Sequence, residues 1–184
     1  ATEISRRPNR KVIDMKTASN KTVRIALAIT GFLFATGAVK AAEEFGIFET
    51  IHHSTVLFEE TATAVETGLR ASGLTLHVMH DIRVPDGVQK ARIYVLTSPE
   101  YLDAASNESP RTVSAQILRV AVYTFAEDLQ TYVDMASPRP HAMVFYAGSD
   151  HYDDLLLAAD QAAQAIRDAV AEVPGEALTT QHGP

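Results

Sequence analysis

The sequence predicts an α+β fold: a mostly antiparallel sheet with helices packed on one face, a compact two-layer sandwich. Three observations predict it. Short runs rich in aliphatic, β-branched and aromatic residues, Leu74–His80 and Ile117–Phe125 among them, read as strands. Two longer segments, ending near Ser72 and Val173, carry apolar residues at helical spacing. The runs Ile117–Phe125 and Leu129–Met135 are separated only by Ala126-Glu127-Asp128, a hairpin-length connection that makes them antiparallel neighbours.

The elements follow in order. Phe45–Ile51 reads as a first strand. Ser54 or Thr55 is placed to cap a helix in which Phe58, Ala62, Val65 and Leu69 fall on one face, with Gly73 ending it. Glu59, Glu60 and Glu66 fall away from that stripe and are expected in solvent. In the strand Leu74–His80, alternation puts Leu74, Leu76 and Val78 on one side and Thr75, His77 and Met79 on the other. Pro85-Asp86-Gly87 is a turn, Ala91–Thr97 a third strand, and Pro99 opens a short helix through Ala105. Ser106–Arg111 reads as a loop before the hairpin. Pro138 and Pro140 break the chain, and His141–Tyr146 stays open between a short strand and a turn of helix. Ser149 or Asp150 caps a last helix with the stripe Tyr152, Leu155, Leu156, Ala159, Ala163, Ile166, Val170 and Val173, ended by Pro174-Gly175. Residues 176–184 read as a flexible tail.

Charge divides the chain. The 184 residues sum to −7, but residues 1–41 carry 8 basic and 2 acidic residues, whereas 42–184 carry 8 basic and 21 acidic ones. A body this acidic repels phosphate, so nucleic acid is not an expected partner. Cysteine is absent, which excludes disulfides and thiolate chemistry. Met15-Lys16, Lys21 and Arg24 precede an uncharged run, Ile25–Val39, and Val39-Lys40-Ala41 offers small residues at a cleavage site. Basic, then apolar, then small-x-small is the order of a signal peptide. The run of 15 residues is short for a membrane anchor, so no stable span is expected after cleavage behind Ala41. Residues 1–14 fit either a start at Met15 or a twin-arginine signal at Ser5-Arg6-Arg7. The expected organisation is an N-terminal extension and signal peptide over 1–41, one α+β domain over 42–175 and the tail. The expected location is the periplasm.

The domain resembles the domain-of-unknown-function 302 family. The resemblance rests on FETI, a helix ending LRASG, LTLHVMHDI and the run ILRVAVYTFAEDLQTYVDMASP, and spans about residues 45–140. In that family a similar strand pair is followed by an Asp/Asn/Ser-Pro step, here Ser137-Pro138. The stretch VLTSPEYLDAAS departs from the pattern by lacking the family's glycine. The resemblance implies a compact, often dimeric fold and no established activity, so it transfers no catalytic residue.

Histidine is the one enriched chemical residue. All seven (His52, His53, His77, His80, His141, His151 and His182) lie beyond residue 41. Imidazole and thioether ligands in a cysteine-free exported protein fit copper or haem iron. The leading ligand or metal candidates are His77 and Met79, which share a strand face, with His52, His80 and His141 as further ones. His77 and His80 are three apart on a strand and should face opposite sides. Gly148-Ser149-Asp150-His151 holds the residue types of a hydrolase triad, but contiguous side chains diverge, and a helix N-terminus explains them. Glu59-Glu60 and Asp153-Asp154 read as solvated helix faces, and Asp81–Gly87 lacks the density of a calcium loop. Lys90, the one lysine after residue 41, reads as an edge-strand lysine that discourages pairing. The expected function is an exported periplasmic accessory protein that binds a small ligand, metal or haem. The alternatives are an enzyme with a histidine general base and a homodimeric structural or assembly protein.

Overall fold

The computed structural model describes residues 46–83, 88–125 and 130–182. The chain divides into units 1–40 and 41–184, and every described residue belongs to the second. The expected signal peptide, its cleavage site, the Pro85-Asp86-Gly87 turn and the hairpin connection lie outside the described residues.

The elements are β1 (Phe48–Ser54), α1 (Phe58–Ala71), β2 (Thr75–Asp81), β3 (Val88–Thr97), α2 (Pro99–Ala104), a 3-10 helix (Pro110–Gln116), β4 (Leu118–Phe125), β5 (Thr131–Ala136), α3 (Pro138–Phe145), α4 (Tyr152–Val170) and β6 (Gly175–His182). The six strands form one sheet in the order β2-β3-β4-β5-β1-β6. Every neighbouring pair is antiparallel. The two-layer α+β reading therefore holds.

Alternation decides which face is covered. Leu118, Val120 and Val122 of β4 are buried, whereas Arg119 and Phe125 are exposed. Register aligns Tyr94 and Leu96 of β3 and Val133 and Met135 of β5 with that buried set. Against it pack Phe58, Val65 and Leu69 of α1 and Leu155, Ala159 and Ile166 of α4. The two helices cross closely: a Cβ on Gly68 would lie 1.8 Å from the Ala169 carbonyl oxygen, so glycine is required there. The hydroxyl of Tyr94 donates to the Ala62 carbonyl at 2.8 Å, so its burial beneath α1 leaves no orphan.

Several local expectations change. Residues 175–182 are not a tail: they form β6, paired along β1, which would otherwise be the sheet edge. The entry needs Gly175, whose φ is +149° and where a Cβ would meet the His53 carbonyl oxygen at 2.1 Å. His141–Tyr146 belongs to α3 and the residue that follows it, with Pro138 in its first turn. A 3-10 helix replaces the end of the expected loop. Neither Ser54 nor Thr55 caps α1, because β1 runs on to Ser54 through its pairing with Thr131 and Gly175. Ser54 Oγ instead accepts from Thr61 Oγ1 at 2.7 Å and donates to the Pro174 carbonyl at 3.2 Å, fastening β1 to α1 and to the chain after α4. Likewise His151, not Ser149 or Asp150, precedes α4. Ser149 Oγ donates to Glu108 at 2.6 Å and accepts from the His151 backbone at 3.0 Å. Lys90 is not on an edge, since β3 lies between β2 and β4. Its ammonium meets Glu59 of α1 at 2.8 Å and sits 5.4 Å from the Phe58 ring centre.

Candidate functional site

Charged side chains on the helix face of a sheet need partners. Glu49 is such a residue: register with Met135 points it at the helices, and it is 1 % exposed. Its partner comes from α4. Arg167 follows the buried Ile166 and leans from the flank of the apolar stripe over β1. Arg167 Nη2 donates to both carboxylate oxygens of Glu49 at 2.8 Å, and Nε donates to Oε1 at 3.3 Å. The fork fixes the arginine in place.

Two cavities meet at this arginine. One, about 250 Å³, lies between β1, the start of α3 and α4, and is lined by Glu49, Ser137, Arg139, Asp160 and Gln164 as well as Arg167. Arg139 and Asp160 form an ion pair at its rim. Ser137 is 6 % exposed, and its hydroxyl has no hydrogen-bond partner among the described residues although it stands at the N-cap of α3. The other cavity, about 270 Å³, lies beyond Gln164 and Arg167, between α4 and β6, and is lined by Ile51, His52 and Ala177. A bulge at Ile51 turns both Ile51 and His52 toward the helices, and His52 is 2 % exposed. Among the described residues neither His52 ring nitrogen completes a hydrogen bond, although the Val173 and Pro174 carbonyls lie beside the ring. Burial, opposed by those carbonyls and reinforced by His53, holds its pKa below the ordinary value. The imidazole is thus kept neutral at neutral pH.

A buried ion pair, a buried hydroxyl without a partner and a buried imidazole without one converge along a single helix. Ordinary packing leaves few such orphans, and they concentrate where something else completes them. A larger groove of about 600 Å³ runs between α1 and α4, but Ala64, Gly68, Ala165 and Ala169 line it. Its shape follows from the close helix crossing.

The open face of the sheet carries a second polar group. Tyr123 donates to Asp134 at 3.2 Å, and Thr50 contacts His182 Nε2 at 2.9 Å across β1 and β6. Burial pushes the Asp134 carboxyl above the usual range, against hydrogen bonds from Thr50 and Tyr123. Around them His53 stacks on Tyr132 at 5.1 Å, Tyr132 on Tyr123 at 5.7 Å, and Phe125 meets both edge-on.

The histidines singled out from sequence are dispersed. His77, Met79 and His80 lie on β2 at one edge of the sheet, and β3, β4 and β5 separate them from His52 on β1. His77 and Met79 do not share a face. A bulge at His77 pairs Val78 with Val95, Met79 with Tyr94 and His80 with Ile93. Met79 therefore faces the helix side with Tyr94, whereas His77, bonded to Thr97 Oγ1 at 2.8 Å, and His80 lie on the open face. His141 in α3 contacts the Ser137 carbonyl at 2.9 Å and borders a small apolar hollow with Ile47 and Val144. Among the described residues no three His, Cys, Asp or Glu side chains are grouped to hold a metal ion. No helix among them is long and apolar enough to cross a membrane.

Sequence reading missed Glu49, Arg139, Asp160 and Arg167, and met Ser137 only as part of the Ser-Pro step. The available signals were a carboxylate beside Ile51 in an aromatic and β-branched strand and an arginine wedged between Ile166 and Val170 of a buried stripe.

No family model matches the sequence. No curated protein matches it either. A search of solved structures finds the crystal structure of an uncharacterized conserved DUF302 protein from Bacillus stearothermophilus, with a TM-score of 0.55 and 15 % identity over 69 % of this chain and 98 % of that one. The chain has a DUF302-like fold, and at that identity the likeness speaks for the fold alone.

Proposed function

We propose that the protein is an exported binding protein for a small polar ligand, held in the cavity between β1, α3 and α4. The observation that carries this reading is the Ser137 hydroxyl, buried and unpartnered beside the Glu49–Arg167 fork in a space of about 250 Å³. A hydroxyl in that position lowers stability unless a ligand or water completes it. Export is supported by the basic, apolar and small residues of 15–41. Among the ligand types the sequence allows, a small organic molecule fits the cavity better than copper or haem, whose candidate ligands His52, His77 and Met79 are spread across the sheet. Native mass spectrometry of protein purified from the periplasm tests the reading. A bound small molecule lost on Ser137→Ala is the expected result, and a bare chain in every preparation overturns it.

A homodimer formed through the open sheet face is a second reading. The half-buried rings of His53, Tyr123 and Tyr132 with the exposed Phe48 and Phe125 favour it. Sedimentation of wild type and Tyr132→Arg distinguishes it, since a monomer at all concentrations excludes such a dimer.

A further inference from the structure

We infer that the ligand of this cavity is a small zwitterion of the α-amino-acid class, an inference that rests on the binding reading above. Charge is the first argument. The cavity is lined by two guanidinium groups, Arg139 and Arg167, and two carboxylates, Glu49 and Asp160. A ligand with net charge would bring an uncompensated charge into a partly desolvated, already balanced space. A ligand carrying one charge of each sign adds none.

The position of the donors and acceptors is the second argument. The charge of Glu49 is already compensated, because both its oxygens accept from Arg167. Arg167 makes these bonds through Nε and Nη2, which leaves the two N–H groups of Nη1 with no partner among the described residues. The Ser137 hydroxyl, from a second residue lining the cavity, is a further donor at the positive end of α3. Together they suit a carboxylate, which takes planar guanidinium donors well. Asp160 lines the same cavity about two turns before Arg167 on α4, its side chain 43 % exposed, where an ammonium group can reach it from the rim. Phosphate, with up to two negative charges, would face both Glu49 and Asp160. A simple carboxylate would add a negative charge beside Asp160, whose own charge Arg139 already balances.

Calorimetric titration and thermal melting of the purified full chain test this. The probes are glycine, alanine and glutamine as zwitterions, with acetate, methylammonium and inorganic phosphate as single-charge controls. At least one zwitterion should raise the melting midpoint and give a saturable heat, with the controls silent at equal concentration. Ser137→Ala removes a buried unpartnered hydroxyl, so the ligand-free midpoint should hold or rise while affinity for that zwitterion falls about 5-fold. A purely structural Ser137 would move stability and leave affinity unchanged. Asp160→Asn should weaken the zwitterion and bring its affinity toward that of acetate. Acetate or phosphate binding as tightly as any amino acid, with the same loss on Ser137→Ala, overturns the zwitterion and leaves the cavity as the binding site. Silence from every probe, with native mass spectrometry showing a bound molecule that is not an amino acid, likewise overturns the ligand class alone. Silence together with a bare chain overturns both.

Discussion

Glu49 and Arg167, 118 positions apart in sequence, meet through three hydrogen bonds, two of them 2.8 Å long. One residue is inside β1 and the other on the flank of α4, so the pair records how α4 lies over β1.

Breaking this pair one partner at a time should be costly. Arg167→Leu leaves a buried carboxylate without its counter-charge. Loss of one partner of a fully buried pair costs about 3–5 kcal/mol, and because Arg167 is 32 % exposed a loss of about 2–3 kcal/mol is expected. The double variant Glu49→Met/Arg167→Leu should recover most of it, because apolar replacement of a buried pair is often neutral. Urea denaturation of the three variants checks both statements. Equal stability of single and double variants would show that the carboxylate is not the source of the cost.

His52 should make the protein acid-labile. Its folded pKa lies below the ordinary 6.5. As pH falls below about 6.5, the unfolded chain gains a proton that the native state refuses, so stability declines until the folded pKa is passed. The urea midpoint should therefore drop between about pH 7.5 and about pH 5.5, and His52→Gln should flatten that part of the profile. An unchanged slope in the variant would assign the lability elsewhere.

Asp134 works in the opposite sense. With its folded pKa raised, the native state keeps a proton that the unfolded chain has lost. Its favourable contribution is complete below the ordinary carboxylate range and is lost as pH rises through the raised value. Asp134→Asn should then stabilise the protein at neutral pH by about 1 kcal/mol, with no gain near about pH 3. Chemical denaturation at the two pH values is the measurement, and a destabilised Asn variant at neutral pH would contradict it.

Gly68→Ala tests the helix crossing. In an exposed helix alanine would gain about 0.8–1.0 kcal/mol over glycine. Here the added Cβ would lie 1.8 Å from the Ala169 carbonyl oxygen, so α1 and α4 must separate. A net loss of about 1–3 kcal/mol is expected from overpacking. A melting midpoint at or above wild type would mean that the helices shift freely.

The layered architecture was legible because its determinants are periodic. Phe58, Ala62, Val65 and Leu69 repeat as a helix stripe, and Leu118, Val120 and Val122 alternate as a strand, so each pattern names its own buried face. What escaped depends on register. The bulges at Ile51 and His77 are single-residue events without a local composition signal, yet the second of them moves Met79 to the opposite face from His77. β6 escaped because Glu176–His182 carries few large apolar residues, and the unpaired edge of β1 supplies the hydrogen bonds that hold it. The cavity escaped for a related reason. Glu49, Ser137 and Arg167 come from three elements, and only the closed sheet brings them to one wall.

The pairing of β1 also governs the order in which the molecule can be built. Its two neighbours are β5 and β6, so a strand made early finds no partner until Thr131–Ala136 and then Gly175–His182 have been synthesised. Closing such distant segments is slow compared with forming a hairpin. During translation β1 must wait for both partners, although β2, β3 and β4 can already pair with one another.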